Sequence, residues 1–260
     1  MLISAAMIVK NESRCIIRCL SSIIDAVDEI VIVDTGSTDN TIELIEEFRK
    51  NRKNIKLYHF DWIDDFATAR NFSLSKTRGE WKFVIDADEF LHPNDVLKVR
   101  ACCKNASLTG ILNVVADVEL ININDFEIED IYTTGIIRIF KGGFKYKGLV
   151  HEALSESISN QKMERINMPI RLLHDGYDST VVNRRGKSLR NIRILEECLK
   201  KEPENYIYYL YFAREIRGLN PQMAFNYIEE AARLYEKNGI EDKIMGNHIK
   251  DTREKIIEQL

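Results

Sequence analysis

The sequence lacks the cysteine pattern of a disulfide-rich or zinc-binding domain. It has five cysteines, an odd number, and no C-x-x-C pair. Secreted disulfide frameworks use even numbers of cysteines, and structural zinc sites use closely spaced pairs. We therefore expect free cysteines in a reducing, cytoplasmic environment. They are Cys15, Cys19, Cys102, Cys103 and Cys198.

Long apolar runs and a strong charge imbalance are also missing. No stretch approaches the ~20 apolar residues that a membrane helix needs. Residues 1–9 are apolar, but they have no basic leader and no small-residue cleavage site, so they predict a strand and not a signal peptide. The net charge is only −4, which gives no reason to expect nucleic acid or an anionic membrane as a partner.

Three glycine-rich nucleotide-binding loops are absent. No G-x-G-x-x-G follows the first predicted strand, which disfavours a dinucleotide oxidoreductase, and no G-x-x-x-x-G-K-[ST] occurs, which excludes a P-loop enzyme. A nucleotidyltransferase of similar fold would open with a glycine-rich G-x-G-x-R loop. This chain has Lys-Asn-Glu-Ser at residues 10–13 instead.

The first half of the chain alternates between strand and helix patterns. Apolar runs at 2–9, 29–34, 55–60 and 81–86 predict buried strands. Helical patterns lie between them, the clearest at 16–27, where apolar residues recur with a 3.6-residue period. This alternation is typical of a doubly wound, mostly parallel α/β sheet. Runs at 112–118 and 136–140 have no helix between them, so we expect the sheet to become mixed or antiparallel there.

The last quarter of the chain is predicted to be helical. The tetrapeptide at 195–198 (Leu-Glu-Glu-Cys) recurs as Ile-Glu-Glu-Ala at 228–231, close to the ~34-residue tetratricopeptide period. Two copies are also compatible with an ordinary helical appendage. We predict an α/β domain over residues 1–182 and a tetratricopeptide-like helical tail over residues 183–260.

Acidic residues follow two of the predicted buried strands. Asp34 ends the second strand, and Asp86 and Asp88 form a D-x-D after the fourth. Ligands of open parallel sheets bind beyond the carboxyl ends of the strands. Paired carboxylates there suit Mg²⁺ or Mn²⁺, which also bind diphosphate oxygens. Ser37 or Asp39 can cap the next helix, which leaves the Asp34 carboxylate free. Asp34 can then accept a hydrogen bond from an N–H group of a nucleobase.

These motifs together resemble family 2 glycosyltransferases of the GT-A fold. The Lys-Asn-Glu start at 10–12, the turn at 34–39 and the D-x-D stand in the order that this family shows. Motifs at 65–71, 138–140, 150–152 and 174–177 are similar to those of a bacterial subgroup. That subgroup includes lipopolysaccharide-core glucosyltransferase-like proteins and bacteriocin S-glycosyltransferases, some of which carry a tetratricopeptide-like tail. The resemblance covers residues 1–180 well and the tail loosely.

The resemblance implies roles for individual residues. Asp34 and the nearby main chain would hold uracil, Arg70 would face the donor phosphates or sugar, and His174 would join the D-x-D as a metal ligand. The implied nucleotide-binding residues are Ile8, Val9, Lys10, Glu12, Asp34, Arg70, Asp86, Ala87 and Asp88. The implied ligands of Mn²⁺ or Mg²⁺ are Asp86, Asp88 and His174.

The resemblance also implies an inverting transfer in which a base takes the acceptor proton. Glu152, next to His151, is the first candidate for this base, and Asp61, Asp64 and Asp65 are the alternates. Some relatives take the base from a Glu-Asp pair, and the motifs that carry the resemblance here do not include that pair.

We expect transfer of a glucose- or N-acetylglucosamine-type hexose from a UDP-sugar to a protein or peptide. The acceptor could instead be a cell-envelope saccharide, or the chain could be a non-catalytic scaffold that binds sugar nucleotides. The helical tail would bind the acceptor or a second subunit, as in a homodimer.

Overall fold

The computed structural model describes residues 2–124, 127–132, 136–155, 163–175, 184–239 and 243–260. The chain divides into two compact units. The first comprises Met1–Gly148 and Glu152–Val182, and the second comprises Leu149–His151 and Asn183–Leu260.

The first unit begins with alternating strands and helices. Strands β1 and β2 consist almost wholly of buried residues, and helix α1 packs its apolar stripe into the core through Ile16, Cys19, Leu20 and Ile23. The elements are β1 (Ile3–Val9), α1 (Ile16–Ile23), β2 (Glu29–Asp34), α2 (Thr41–Arg49), β3 (Ile55–His59), α3 (Phe66–Ser75), β4 (Trp81–Val84), β5 (Glu89–Leu91) and α4 (Val96–Ser107).

The remainder of this unit is rich in strands. The elements are β6 (Asn113–Asn124), β7 (Glu127–Tyr132), β8 (Ile137–Lys141), β9 (Lys145–Lys147), β10 (Ala153–Ser155) and β11 (Met163–His174). Within the described residues, nine strands form one sheet in the order β3-β2-β1-β4-β8-β6-β11-β5, with β7 paired to β6. Strands β9 and β10 form a separate antiparallel pair.

Pairing directions change where the sequence pattern changes. Strands β3, β2, β1 and β4 are parallel, whereas β8 runs antiparallel to both β4 and β6. The predicted α/β fold with a mixed sheet is therefore confirmed. Because β1 to β4 are parallel, their carboxyl ends meet at one edge of the sheet, where ligands of such sheets bind.

The second unit consists of helices α5 (Arg184–Lys201), α6 (Tyr206–Ile216), α7 (Pro221–Lys237) and α8 (Lys243–Ile257), with successive helices packed on each other. The repeated tetrapeptides lie on α5 and α7, where their first and last residues are buried. Asn205 and Asn220 cap α6 and α7 with their side chains. In the part of the chain that the structure describes, no helix has the length and apolar character needed to span a membrane.

Candidate active site

The site lies at the carboxyl edge of the parallel strands. Val9 and Asp34, the last residues of β1 and β2, are direct partners in the parallel register. Strand β11 reaches the same region because it pairs antiparallel with β5, which places His174 opposite Glu89. Strand pairing thus brings together residues that are far apart in the sequence.

Asp34 organises the turn that follows β2. Its carboxylate accepts hydrogen bonds from the main-chain N–H groups of Gly36 (2.9 Å) and Ser37 (3.1 and 3.2 Å). Asp39 accepts from the N–H of Thr41 at the start of α2. Asp39 therefore bonds the start of α2 in place of Asp34, as the sequence suggested, but the Asp34 carboxylate is not free because it closes the turn. A carboxylate has about four lone-pair sites, so Asp34 retains capacity for a further donor.

Hydrogen bonds join residues 10–13 to the segment that follows β2. The N–H of Asn11 donates to Ser37 Oγ (2.9 Å), the N–H of Glu12 to Thr41 Oγ1 (2.8 Å), and the N–H of Ser13 to Asp39 (3.1 Å). Asn11 lies in the left-handed region at φ 58°. The Lys-Asn-Glu loop is therefore held rigidly beside Asp34.

Asp86 is the centre of a buried charge network. Arg70 Nη2 donates to Asp86 Oδ1 (2.7 Å), and Arg138 Nη2 donates to Asp86 Oδ2 (3.0 Å). Burial alone would raise the pKa of Asp86, but the two arginines lower it well below its usual range. Asp86 is therefore ionised, and both of its oxygens face arginines.

Glu152 joins the same network through Arg70. The Nε–H of Arg70 donates to Glu152 Oε1, and the Glu152 side chain is only 11% exposed. Arg70 belongs to α3, and Glu152 directly precedes β10. The ion pair therefore links α3 to the segment before β10. Arg70 Nη1 is buried and makes no hydrogen bond to any described residue. A buried guanidinium N–H without a partner is costly and fits an anionic ligand that would complete it.

Asp88 and His174 face each other across the strand ends. His174 Nε2 lies 3.6 Å from Asp88 Oδ2. The other ring nitrogen, Nδ1, is 2.7 Å from Asn122 Oδ1, an oxygen that can only accept, so the proton is assigned to Nδ1. Burial lowers the pKa of His174, but Asp88 raises it to a net value above normal. Fixing one imidazole nitrogen while the other faces a carboxylate is typical of a histidine metal ligand.

The two side chains fit a Mg²⁺ or Mn²⁺ site that is completed by the donor. Within the described ranges no group of three or more His, Cys, Asp and Glu side chains is arranged to hold a metal ion. These cations keep several waters and bind through one or two carboxylates together with substrate phosphates. Asp88 and His174 would be a sufficient protein contribution to such a site, whereas Asp86 is engaged by arginines.

Other sequence candidates lie outside this cluster. Asp65 caps α3, accepting from the N–H of Thr68 (2.8 Å). Asp61 is almost fully exposed and contacts His59. Asp64 accepts from Trp62 Nε1.

His151 groups with the helical unit. Its Nε2 lies 3.2 Å from Glu215 Oε1, and its ring stacks on Tyr211. Gly176 and Tyr177 of the 174–177 motif lie outside the described residues.

Three site residues had no role in the sequence prediction. Glu89 is fully buried; its Oε2 accepts from the N–H of Asp86 (3.0 Å) and its Oε1 from Arg138. Asn122 orients His174. Arg138 falls in the 138–140 motif and Glu89 directly follows the D-x-D, and these positions were their only available signals. Asn122, on a long strand, carried none.

Residues 4–105 match the family model described as Glycosyl transferase family 2. The SPbeta prophage-derived glycosyltransferase SunS of Bacillus subtilis is 29% identical over 238 residues, covering 90% of this chain and 54% of that protein. A TPR repeat-containing protein of Synechococcus elongatus is 27% identical over 225 residues, covering 84% of this chain and 52% of that protein. The chain thus spans about half the length of these curated relatives.

A solved structure has a similar fold. The crystal structure of S. aureus TarS 1–349 matches with a TM-score of 0.52 at 14% identity, covering 90% of this chain and 81% of that chain. The fold, the sequence motifs and the family match all point to the same class of protein, the family 2 glycosyltransferases. The first unit therefore matches family 2 glycosyltransferases over residues 4–105 and has a fold similar to that of TarS 1–349, and the chain continues into a helical part.

Proposed function

We propose that the chain is an inverting, metal-dependent glycosyltransferase that moves a glucose- or N-acetylglucosamine-type hexose from a UDP-sugar to a polypeptide. The observation that carries this proposal is the buried network of Arg70, Asp86 and Glu152 at the carboxyl edge of the sheet, next to the Asp88–His174 pair. It combines a carboxylate, an arginine with an unused N–H and a metal-binding pair, which are the groups that sugar transfer from a nucleoside diphosphate requires.

The uracil would lie against Asp34 and the loop formed by Lys10, Asn11 and Glu12. An ionised carboxylate accepts the N3–H of uracil, which adenine does not offer. The rigid fastening of this loop to the turn after Asp34 supports a preformed base pocket. The main chain of Ile8 and Val9 forms its floor.

The diphosphate would lie between Arg70 and the metal-binding pair. Asp88 and His174 would hold Mn²⁺ or Mg²⁺, which supplies charge stabilisation to the departing diphosphate. Arg70 Nη1 would donate to a donor oxygen. Asp86 and Ala87 would contact the ribose of the nucleotide. Asp86 would also hold Arg70 and Arg138 in place through its ion pairs with them.

Glu152 would take the acceptor proton. Arg70 holds its Oε1, which leaves Oε2 as the atom that receives the proton while the acceptor attacks the anomeric carbon from the face opposite the diphosphate. General-base help of this kind contributes ~10²–10⁴ in rate. Since Asp65 caps a helix and Asp61 is exposed, both are weaker candidates for this role.

The helical unit indicates which class of acceptor the chain would use. TPR-like helical arrays present extended surfaces that bind peptides, which favours a polypeptide acceptor over a cell-envelope saccharide. The same helices could instead pair with a second copy of the chain.

A donor screen tests the proposal. UDP release is measured with UDP-glucose and UDP-N-acetylglucosamine, with and without Mn²⁺, and with a peptide or a saccharide acceptor. Release that requires Mn²⁺ and increases with peptide supports it. Binding of UDP-sugar without any release would identify a non-catalytic scaffold.

A further inference from the structure

Asp175 forms an ion-pair cluster with Arg14 and Arg18 next to Asp88 and His174. The proposed reaction does not use this cluster. The Asp175 carboxylate accepts from Arg14 Nη1 (2.6 Å) and Nη2 (3.0 Å), and from Arg18 Nη2 (2.6 Å). The Asp175 side chain is only 12% exposed. Burial raises the pKa of Asp175, but the two arginines lower it to a net value below normal.

We propose that Asp175, clamped by Arg14 and Arg18, is the positioning residue that holds His174 against Asp88 and so sets the affinity for the metal. This inference rests on the proposed metal role of Asp88 and His174. Asp175 directly follows His174, which is the last residue of β11. A strand end is held less firmly than a strand centre unless something anchors it.

The clamp supplies that anchor from a rigid element. Arg18 belongs to α1, whose apolar face is buried in the core. Arg14 lies two residues before the start of this helix. The two parallel bonds from Arg14 fix orientation as well as distance. The Arg18 guanidinium also lies over the ring of Phe90, 4.2 Å from its centroid, and Phe90 pairs with the residue before His174.

A second contact joins Asp175 to the other metal ligand. The N–H of Asp175 donates to the main-chain oxygen of Asp88 (3.3 Å). Asp175 therefore touches Asp88 through its main chain and α1 through its side chain. Asn122 fixes the ring of His174, and a displaced Asp175 would move that ring relative to Asp88.

The chain offers a matched control in an ion pair that joins β6 to β11. Asp117 accepts two bonds from Arg165, at 2.7 and 3.0 Å, and its side chain is 14% exposed. On β6, Asp117 precedes Asn122, the strand partner of His174, by five positions, a distance of about 17 Å in a strand. Asp117→Asn therefore removes a similar ion pair far from the metal ligands.

The test measures Mn²⁺ binding to the full chain in the presence of UDP, using the EPR signal of free Mn²⁺. Loss of a group that orients a metal ligand typically weakens metal affinity ~10–100-fold. We expect that loss for Asp175→Asn, a smaller loss for Arg14→Lys, and none for Asp117→Asn. UDP affinity in the presence of chelator should be unchanged in all three, which a general loss of structure would not produce.

Thermal unfolding establishes which variants are folded. If Asp175→Asn does not fold, Arg14→Lys decides the question. Wild-type Mn²⁺ affinity in the folded variants would overturn the clamp while leaving the metal site in place. If the wild-type protein itself binds no Mn²⁺ with UDP, the metal assignment fails, and the clamp proposal fails with it.

Discussion

Replacing Glu152 with glutamine separates its proposed chemical role from its structural one. The amide keeps the size of the side chain, and its carbonyl oxygen can still accept the Nε–H of Arg70. It cannot take a proton from an acceptor. We therefore expect a folded protein that binds the donor and transfers the sugar slowly.

The structural cost of this change can be bounded. A hydrogen bond to a charged partner contributes ~1.5–3 kcal/mol, and one between neutral groups ~0.5–1.5 kcal/mol. Arg70 keeps its charged bond to Asp86, so removing the charge of Glu152 should cost only ~1–1.5 kcal/mol. For a chain of this size that lowers Tm by about 2–6 °C.

The catalytic cost should be larger. With a hydroxyl acceptor, kcat should fall ~10²–10⁴-fold while KM for the UDP-sugar stays nearly unchanged. With a thiol acceptor the loss should be small, because part of a thiol is already ionised near neutral pH. Wild-type kcat with a hydroxyl acceptor would remove Glu152 from the mechanism and pass the role to Asp61, Asp64 or Asp65. Asp117→Asn serves as a control for a lost ion pair.

Three further predictions follow from other parts of the chain. Asp34→Asn should weaken UDP binding by roughly tenfold or more, through the loss of ~1.5–3 kcal/mol, and should not weaken ADP binding by the same factor; calorimetry with both nucleotides measures this. Removing residues 184–260 should abolish transfer to a polypeptide but leave UDP binding intact in protein that circular dichroism shows to be folded; loss of UDP binding would assign the tail to the donor site. Glu29 lies at the opposite sheet edge, where burial raises its pKa but bonds from Arg78, Ser4 and Lys56 lower it from 4.5 to about 2. Its stabilisation is fully present above pH 4.5 and is lost as the pH falls towards 2, so Glu29→Gln should lower the free energy of unfolding by up to ~3 kcal/mol at pH 7. This difference should shrink progressively below pH 4.5; a constant difference in urea unfolding would contradict it.

Local sequence patterns predicted the sheet edge well because each signal was contained in one short segment. The apolar run of β2 ends at Asp34 in both sequence and structure. The D-x-D after β4 followed from the same logic. The mixed second half was predicted from the absence of helices between strands, and the structure confirms it.

Long-range partners could not be predicted in this way. Nothing in the sequence indicates that Arg70 and Arg138 both bind Asp86, because strand order and register decide it. For the same reason the spacing could not reveal that Asn122 orients His174 across 52 positions. The sequence correctly assigned the capping of α2 to Asp39 in place of Asp34, but it did not indicate that the Asp34 carboxylate closes the turn at Gly36 and Ser37.

The most direct test of the account measures UDP release by wild-type protein and Asp88→Ala, each with Mn²⁺ and with a chelator. We expect UDP-sugar turnover by the wild-type protein to require Mn²⁺, and Asp88→Ala to be folded but inactive under both conditions. Full turnover by Asp88→Ala in the presence of chelator would contradict the assignment of this edge of the sheet as a metal-dependent glycosyl-transfer site.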